Sequence, residues 1–414
     1  MSPWIAGRVR SRDLVVLAIG VAVANAAVSA AFPHARSYDS LAWEEVARLL
    51  EAGENPYTTG YLSWPPLWMQ IVAGISWVAE RVDISFNVAL KVFLAGVQLA
   101  TAVLLYRLVA RGYRRALALT VVGFALNPAV VVLDTIHANF DVLVAFWVVL
   151  AIGFLLEYRE SSDPLAWLYA CGAVGAGILT KTTPLVLIPL LVPGLVAERR
   201  ARWMGVLLVT VPALLATSVL FVRDPDVIIE RVASYSSSPG WFGFTGLLDL
   251  AGWNGAADGY ESVFRVVLGA TLIAAGWWCA RRRLSEPDTV RLAVVLTMFV
   301  PVLGPGFGPQ YVLWFLPAAV LLWVYAGRLE RSVLLVAWAV LIVDLMIEYA
   351  LIRSHGGVFA DDFPELSERL STPGASTVLR LPLFLVLATL LGVVTSTLRH
   401  AGRDAAAPGP RAHG

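Results

Sequence analysis

The sequence predicts an all-α, polytopic membrane bundle of about twelve spans with a structured first extracytoplasmic loop that carries short interfacial helices. Composition is the first observation behind this. The 414 residues are 58% hydrophobic and 15% charged, with a mean hydropathy of +0.73, more apolar surface than one soluble core can hide. Patterning is the second. Apolar runs of roughly 17–22 residues, the length a helix needs to cross about 30 Å of hydrocarbon, recur from end to end, and their Leu/Val/Ala content favours helices over the short alternating strands of a barrel. A net charge of +1 gives no bulk attraction to nucleic acid. Cys171 and Cys279 both sit in apolar runs, which argues against a disulfide framework or a cysteine metal site.

The chain opens with Arg8, Arg10 and Arg12 before an apolar stretch from Leu14. The small residues at 28–31 allow a signal-peptide reading, but the stretch is long enough to span and more spans follow, so an uncleaved first helix is preferred. The expected spans are 14–32, 88–107, 116–133, 141–157, 166–180, 182–197, 203–222, 263–280, 290–303, 311–326, 332–352 and 380–398. With both termini cytoplasmic, the basic clusters at 107–115, 199–202, 281–283, 328–331 and 399–403 fall on the side of the N-terminal arginines, as the positive-inside rule requires. That register holds only if 65–80 is re-entrant or interfacial. The far side then receives a long first loop (33–87), a short second one (134–140), a tight hairpin at 180–182, and loops at 223–262 and 353–379. Residues 1–200 form one module, 201–398 a C-terminal transmembrane region, and 399–414, rich in Ala, Pro and Gly, a disordered cytoplasmic tail. No internal repeat is seen, which argues against an inverted-repeat transporter.

The first outer loop is the most informative stretch. Asp39 follows the first helix closely, residues 40–52 read as a short amphipathic helix ended by Gly53, and Asn55-Pro56 and Pro65-Pro66 mark turns among Tyr and Trp residues suited to the headgroup region. From position alone a bland role for Asp39, as a helix cap or a solvated loop acid, is as well supported as a functional one.

The pattern Tyr38-Asp39, then Gly53-Glu54-Asn55-Pro56-Tyr57, then Tyr61-Leu62-Ser63-Trp64-Pro65-Pro66-Leu67 resembles the multi-pass GT-C glycosyltransferases. It is most similar to glycosyltransferase family 87 and to the mannosyltransferases of phosphatidylinositol-mannoside and GPI-anchor synthesis. Leu126-Asn127-Pro128 running into His137-Ala138-Asn139-Phe140-Asp141, Lys181-Thr182-Thr183-Pro184-Leu185, and Gly308-Pro309-Gln310-Tyr311 through Pro317 extend the likeness. The resemblance covers roughly 1–200 and 300–320. It implies transfer of a hexose, mannose first among candidates, from a polyprenyl-phosphate carrier to a lipid-linked or envelope glycan acceptor on the extracytoplasmic face of the cell membrane. It also implies a catalytic base in the first outer loop, where only Asp39 matches. Some relatives carry an Asp just before the Pro-Pro-Leu segment, where this chain has Ser63-Trp64, so no catalytic role carries over there.

Transfer from such a donor needs a carboxylate to take the acceptor proton and positive charge or N–H donors to receive the phosphate, while the leaving group departs without a general acid. One displacement inverts the anomeric carbon. Lys181 interrupts an apolar stretch and would cost about 2.5–3.5 kcal/mol facing lipid at mid-helix, so it is expected to meet the carrier phosphate or pair with a carboxylate. Arg353, Gln310 and Tyr311 are further donor-site candidates; Arg223 and Arg231 are weaker ones. His137, Asp141, Tyr38, Tyr57, Asp344 and Glu348 are candidates for substrate contact, the last two sharing a helix face where an internal ion pair is the alternative. No cofactor is required. A divalent metal is allowed, with Asp134, His137 and Asp141 as a weak ligand set, and Asp224-Pro225-Asp226 reads as a helix start. The expected partners are the donor, the acceptor and membrane lipid. The rival readings are a flippase or transporter of a lipid-linked saccharide, which calls for charges near the midplane, and a glycan polymerase or ligase without an Asp base.

Overall fold

The computed structural model describes residues 10–32, 37–59, 63–211, 225–228, 231–232, 243–282, 284–349 and 372–404, and all regular structure among them is helical. In chain order these are α1 (Ser11–Ala31), α2 (Tyr38–Glu51), α3 (Pro66–Arg81), α4 (Phe86–Ala110), α5 (Ala116–Ala125), α6 (Pro128–His137), α7 (Asp141–Ser161), α8 (Pro164–Thr180) and α9 (Thr183–Ala197). They continue as α10 (Arg202–Val211), α11 (Gly243–Leu250), α12 (Asn254–Arg281), α13 (Glu286–Leu303), α14 (Pro309–Tyr325), α15 (Arg328–Ile347) and α16 (Pro373–Asp404).

Among the described residues five helices, α1, α4, α7, α12 and α16, are long and apolar enough to cross a membrane alone, and the bent pair α5–α6 is a sixth if taken as one span. The chain is an integral multi-pass membrane protein. The expected twelve crossings are not reached on length and composition, because proline shortens several of the apolar runs. Pro184 opens a tight turn at the head of α9, and Pro309 another at the head of α14. The run expected as one span over 116–133 is likewise broken. Pro128 lacks an N–H and pushes Asn127 into extended backbone, and the two pieces meet at 41°. Asn127 mends both ends: its Oδ1 accepts from the Ala129 N–H at 2.9 Å and its Nδ2 donates to the Gly123 carbonyl at 3.2 Å. The helix then continues to His137, so the second loop is only 138–140 rather than 134–140.

α7 is the hub. It packs on α4, α8 and α14, and most of its surface is buried. α2 and α3 lie together, with α3 also against α4 and α8. At 16 residues α3 is shorter than a span needs. Its face of Trp68, Met69, Val72 and Ile75 is buried, and Trp68 stacks on Phe140 at 4.5 Å, so the 65–80 stretch is anchored on the start of α7. Gly53 ends α2 as expected. Its φ of 72° needs no Cβ, and the Gly53 and Glu54 N–H groups donate to the carbonyls of Leu50 and Leu49.

α8 and α10 approach through Gly175, where a Cβ would lie 2.1 Å from the Leu208 carbonyl oxygen. Gly175→Ala must therefore push backbone apart, with an expected loss of about 1–3 kcal/mol, read as a lower thermal unfolding midpoint in detergent.

Candidate active site

The first helical turn of α2 places Asp39. Ser37 is the N-cap, its Oγ accepting from the Ser40 N–H at 3.1 Å while the Ser40 Oγ accepts from the Ser37 N–H at 3.0 Å. Since Ser37 does the capping, Asp39 is not the cap, and its carboxylate sits in the first turn, where the helix dipole favours negative charge. The Ser37 hydroxyl also donates to the His137 carbonyl, which stitches the first loop to the second.

The second loop supplies the partners. α6 ends in a wide π-type turn, Ala138 takes a left-handed conformation with φ of 52°, and the Asn139 N–H closes back on the Leu133 carbonyl at 3.2 Å. That turn brings His137 and Asn139 to the same carboxylate oxygen. His137 Nε2 lies 2.9 Å from Asp39 Oδ2, and Asn139 Nδ2 donates to that oxygen. The other imidazole nitrogen, Nδ1, meets the Tyr349 hydroxyl at the end of α15. An ionised carboxylate only accepts, so Nε2 carries the proton, and in a neutral ring Nδ1 then accepts from Tyr349.

A second polar pair lies alongside. Asn139 Oδ1 accepts from the Asp141 N–H at 2.8 Å, and the Asp141 carboxylate takes Lys181 Nζ at 2.8 and 3.0 Å. Both side chains are buried. Lys181 leaves α8 in extended backbone just past Thr180, so its ammonium reaches across to the start of α7. There it lies over aromatic rings, 4.2 Å from the centre of Trp64, 5.0 Å from Trp314, 5.3 Å from Phe140 and 5.4 Å from Tyr311. Of the two roles the sequence allowed for Lys181, the pairing with a carboxylate is the one seen, and the ring faces add cation–π attraction in a dry setting.

The remaining candidates are less uniform. Tyr311 stacks on Trp314 at 4.1 Å between ring centres, and Gln310 beside it has a buried Oε1 that no described residue satisfies. Tyr57, expected to touch substrate, is instead buried in the loop. Its hydroxyl donates to the Trp64 carbonyl at 2.7 Å, and burial pushes the phenol above its ordinary range. Tyr38 begins α2. Glu348 forms a buried ion pair with Arg380 of α16, the internal pairing that was the alternative to a substrate role. Asp344, one turn earlier, is within electrostatic reach of the same guanidinium. Arg353 and Arg223 lie outside the described residues; Arg231 is described but joins neither pair.

The proposed ligands Asp134, His137 and Asp141 do not converge. Among the described residues no three His, Cys, Asp or Glu side chains come together as a metal would require. Asp134 is fully buried without a hydrogen-bond partner there, His137 spends both ring nitrogens on Asp39 and Tyr349, and Asp141 is held by Lys181. Sequence reasoning missed Asn139, Tyr349 and Arg380. A lone arginine heading the last apolar run was the signal for Arg380, since two acids on one apolar helix call for a cation.

Residues 65–227 match the model of the family described as dolichyl-phosphate-mannose-protein mannosyltransferase, which is of GT-C type. The GT-C part of the resemblance read from the sequence is thereby supported over that stretch, which is less than half of the chain, holds His137, Asn139, Asp141 and Lys181 and begins after Asp39. No curated protein is similar enough to count as a relative. Among solved structures, the crystal structure of ArnT from Cupriavidus metallidurans bound to undecaprenyl phosphate is similar at 15% identity over 93% of this chain and 78% of that chain, with a TM-score of 0.47.

Proposed function

We propose that this chain is a GT-C type membrane glycosyltransferase that moves a hexose, mannose by first preference, from a polyprenyl-phosphate carrier to a lipid-linked or envelope glycan acceptor on the extracytoplasmic face. The observation that carries the reading is the Asp39 cluster. Its carboxylate keeps 21% of its side-chain surface open while His137 behind it keeps 3%. The acid is thus held from within by two groups and presented outward, as a general base must be.

In this reading the acceptor hydroxyl gives its proton to Asp39 as its oxygen attacks the anomeric carbon, and the bond to the carrier phosphate breaks with the electron pair leaving on phosphate. One displacement inverts the configuration. His137, oriented by Tyr349, and Asn139 fix the carboxylate in place. Gln310, with its unsatisfied oxygen, is assigned to a sugar hydroxyl, and Arg353 to the phosphate. Lys181 and Asp141 hold the 139–141 segment against the aromatic wall. No cofactor enters the steps. The chain crosses the membrane about twelve times in this reading, with the shorter helices as partial spans or spans through locally thinned bilayer and both termini cytoplasmic.

The test is transfer of radiolabel from a panel of polyprenyl-phosphate sugars to endogenous lipids and glycans, in membranes with and without the chain. Chain-dependent labelling from the mannose donor with an inverted linkage supports the reading, labelling from another donor alone reassigns the sugar, and labelling from none removes the transferase. Tyr349→Phe is expected to lower kcat by about tenfold with KM for the donor little changed, because His137 loses the partner that fixes its tautomer. Initial rates over a donor titration would show it.

A further inference from the structure

A second polar cavity lies at the other end of α7. It encloses about 740 Å³ and is walled by Arg159, Arg281, Arg282, Tyr158, Glu198 and Ser285, among others. α7 begins at Asp141 beside the Asp39 cluster and runs 21 residues to Ser161. At 1.5 Å per residue that separates the two places by about 30 Å, the thickness of the hydrocarbon layer. The cavity therefore sits at the opposite membrane face.

Its chemistry is cationic. Among the described residues none of the three arginines closes an ion pair, and the Nε of Arg159 is buried without a hydrogen-bond partner. The two carboxylates in the wall accept from tyrosine hydroxyls, Glu198 from Tyr158 at 2.9 Å and Glu286 from Tyr325 at 3.2 Å, and keep their charge, so three guanidiniums against two carboxylates leave the wall positive by one. Arg281 and Arg282 lie over the rings of Trp277 and Trp278, at 3.9 and 5.3 Å, and the exposed Trp277 suits the headgroup layer. A guanidinium cluster with a donor left over, in a headgroup-sized cleft between helix ends, matches a phosphate group.

We propose that this cavity binds the phosphate of an anionic membrane lipid, at a site separate from sugar transfer. The site stands whether or not the transferase reading holds, and its test reads no transfer. The full chain is reconstituted in nanodiscs of phosphatidylcholine with a minor share of phosphatidylglycerol, and lipid retained after extraction is counted by native mass spectrometry. Wild type is expected to hold phosphatidylglycerol in preference to phosphatidylcholine. Arg159→Gln/Arg281→Gln is expected to lower that preference by at least about tenfold, and Arg281→Gln/Arg282→Gln, confined to exposed side chains, by a smaller factor with an unchanged unfolding midpoint. Equal retention by wild type and the exposed-pair variant, or no preference in wild type, overturns the proposal. Displacement of the lipid by millimolar inorganic phosphate assigns the cavity to free phosphate and overturns the lipid assignment.

Discussion

Asp39→Asn is expected to lower sugar transfer by about 10²–10⁴-fold, the contribution of a positioned general base, while the protein folds and binds donor as before. The substitution is nearly isosteric. An asparagine oxygen still accepts from His137 Nε2 and Asn139 Nδ2, so the cluster that holds the side chain survives. What it loses is the ability to take a proton. The decrease should therefore fall on kcat rather than on KM for the donor, because the carrier phosphate has no contact with Asp39 in the proposed pose. Initial rates over a donor titration, with unfolding midpoints beside them, separate this from misfolding. A KM effect alone would make Asp39 a binding residue.

The second large effect is expected on stability. Lys181→Met leaves the Asp141 carboxylate buried without its cation, and breaking such a pair from one side costs about 3–5 kcal/mol. Asp141→Leu leaves the ammonium buried with only ring faces to meet it. The double variant Lys181→Met/Asp141→Leu removes both charges together, and replacing a buried pair by apolar side chains is often neutral for stability. The expected pattern in detergent is two strongly destabilised single variants and a double variant with most of the wild-type midpoint. Single variants as stable as wild type would show that the pair is dispensable and that Lys181 is free for a different role.

The membrane class, the helical content and the end of α2 at Gly53 follow from composition, run length and local turn chemistry, which is why the sequence predicts them. The break at Asn127 is local too, since a proline inside an apolar run is visible, yet its consequence is not. The wide turn before Ala138 arises from how α6 seats against its neighbours, and it moves Asp134 to His137 from loop to helix. For the site, Lys181 stands out as a charge in an apolar run, while Asp39, His137 and Asp141 stand out through the family resemblance. Their joining does not. Asn139 looks like one more loop amide, and only the folded turn shows that its two ends serve Asp39 and Asp141 at once. No spacing relates Tyr349 to His137, 212 positions apart. Tyr57 shows the reverse error, because an aromatic near a turn reads as a binding residue until its hydroxyl is seen closing the loop on Trp64.

The decisive experiment uses the purified chain in proteoliposomes with polyprenyl-phosphate-[¹⁴C]mannose in the outer leaflet and an acceptor lipid fraction. Covalent transfer and flipping are separated by extracting both leaflets. A transferase is expected to move label from the carrier to acceptor, one free polyprenyl phosphate appearing per sugar transferred, in wild type and not in Asp39→Asn. Label that stays on polyprenyl phosphate but reaches the inner leaflet, equally in wild type and Asp39→Asn, would contradict the transferase and make the chain a carrier of lipid-linked saccharide.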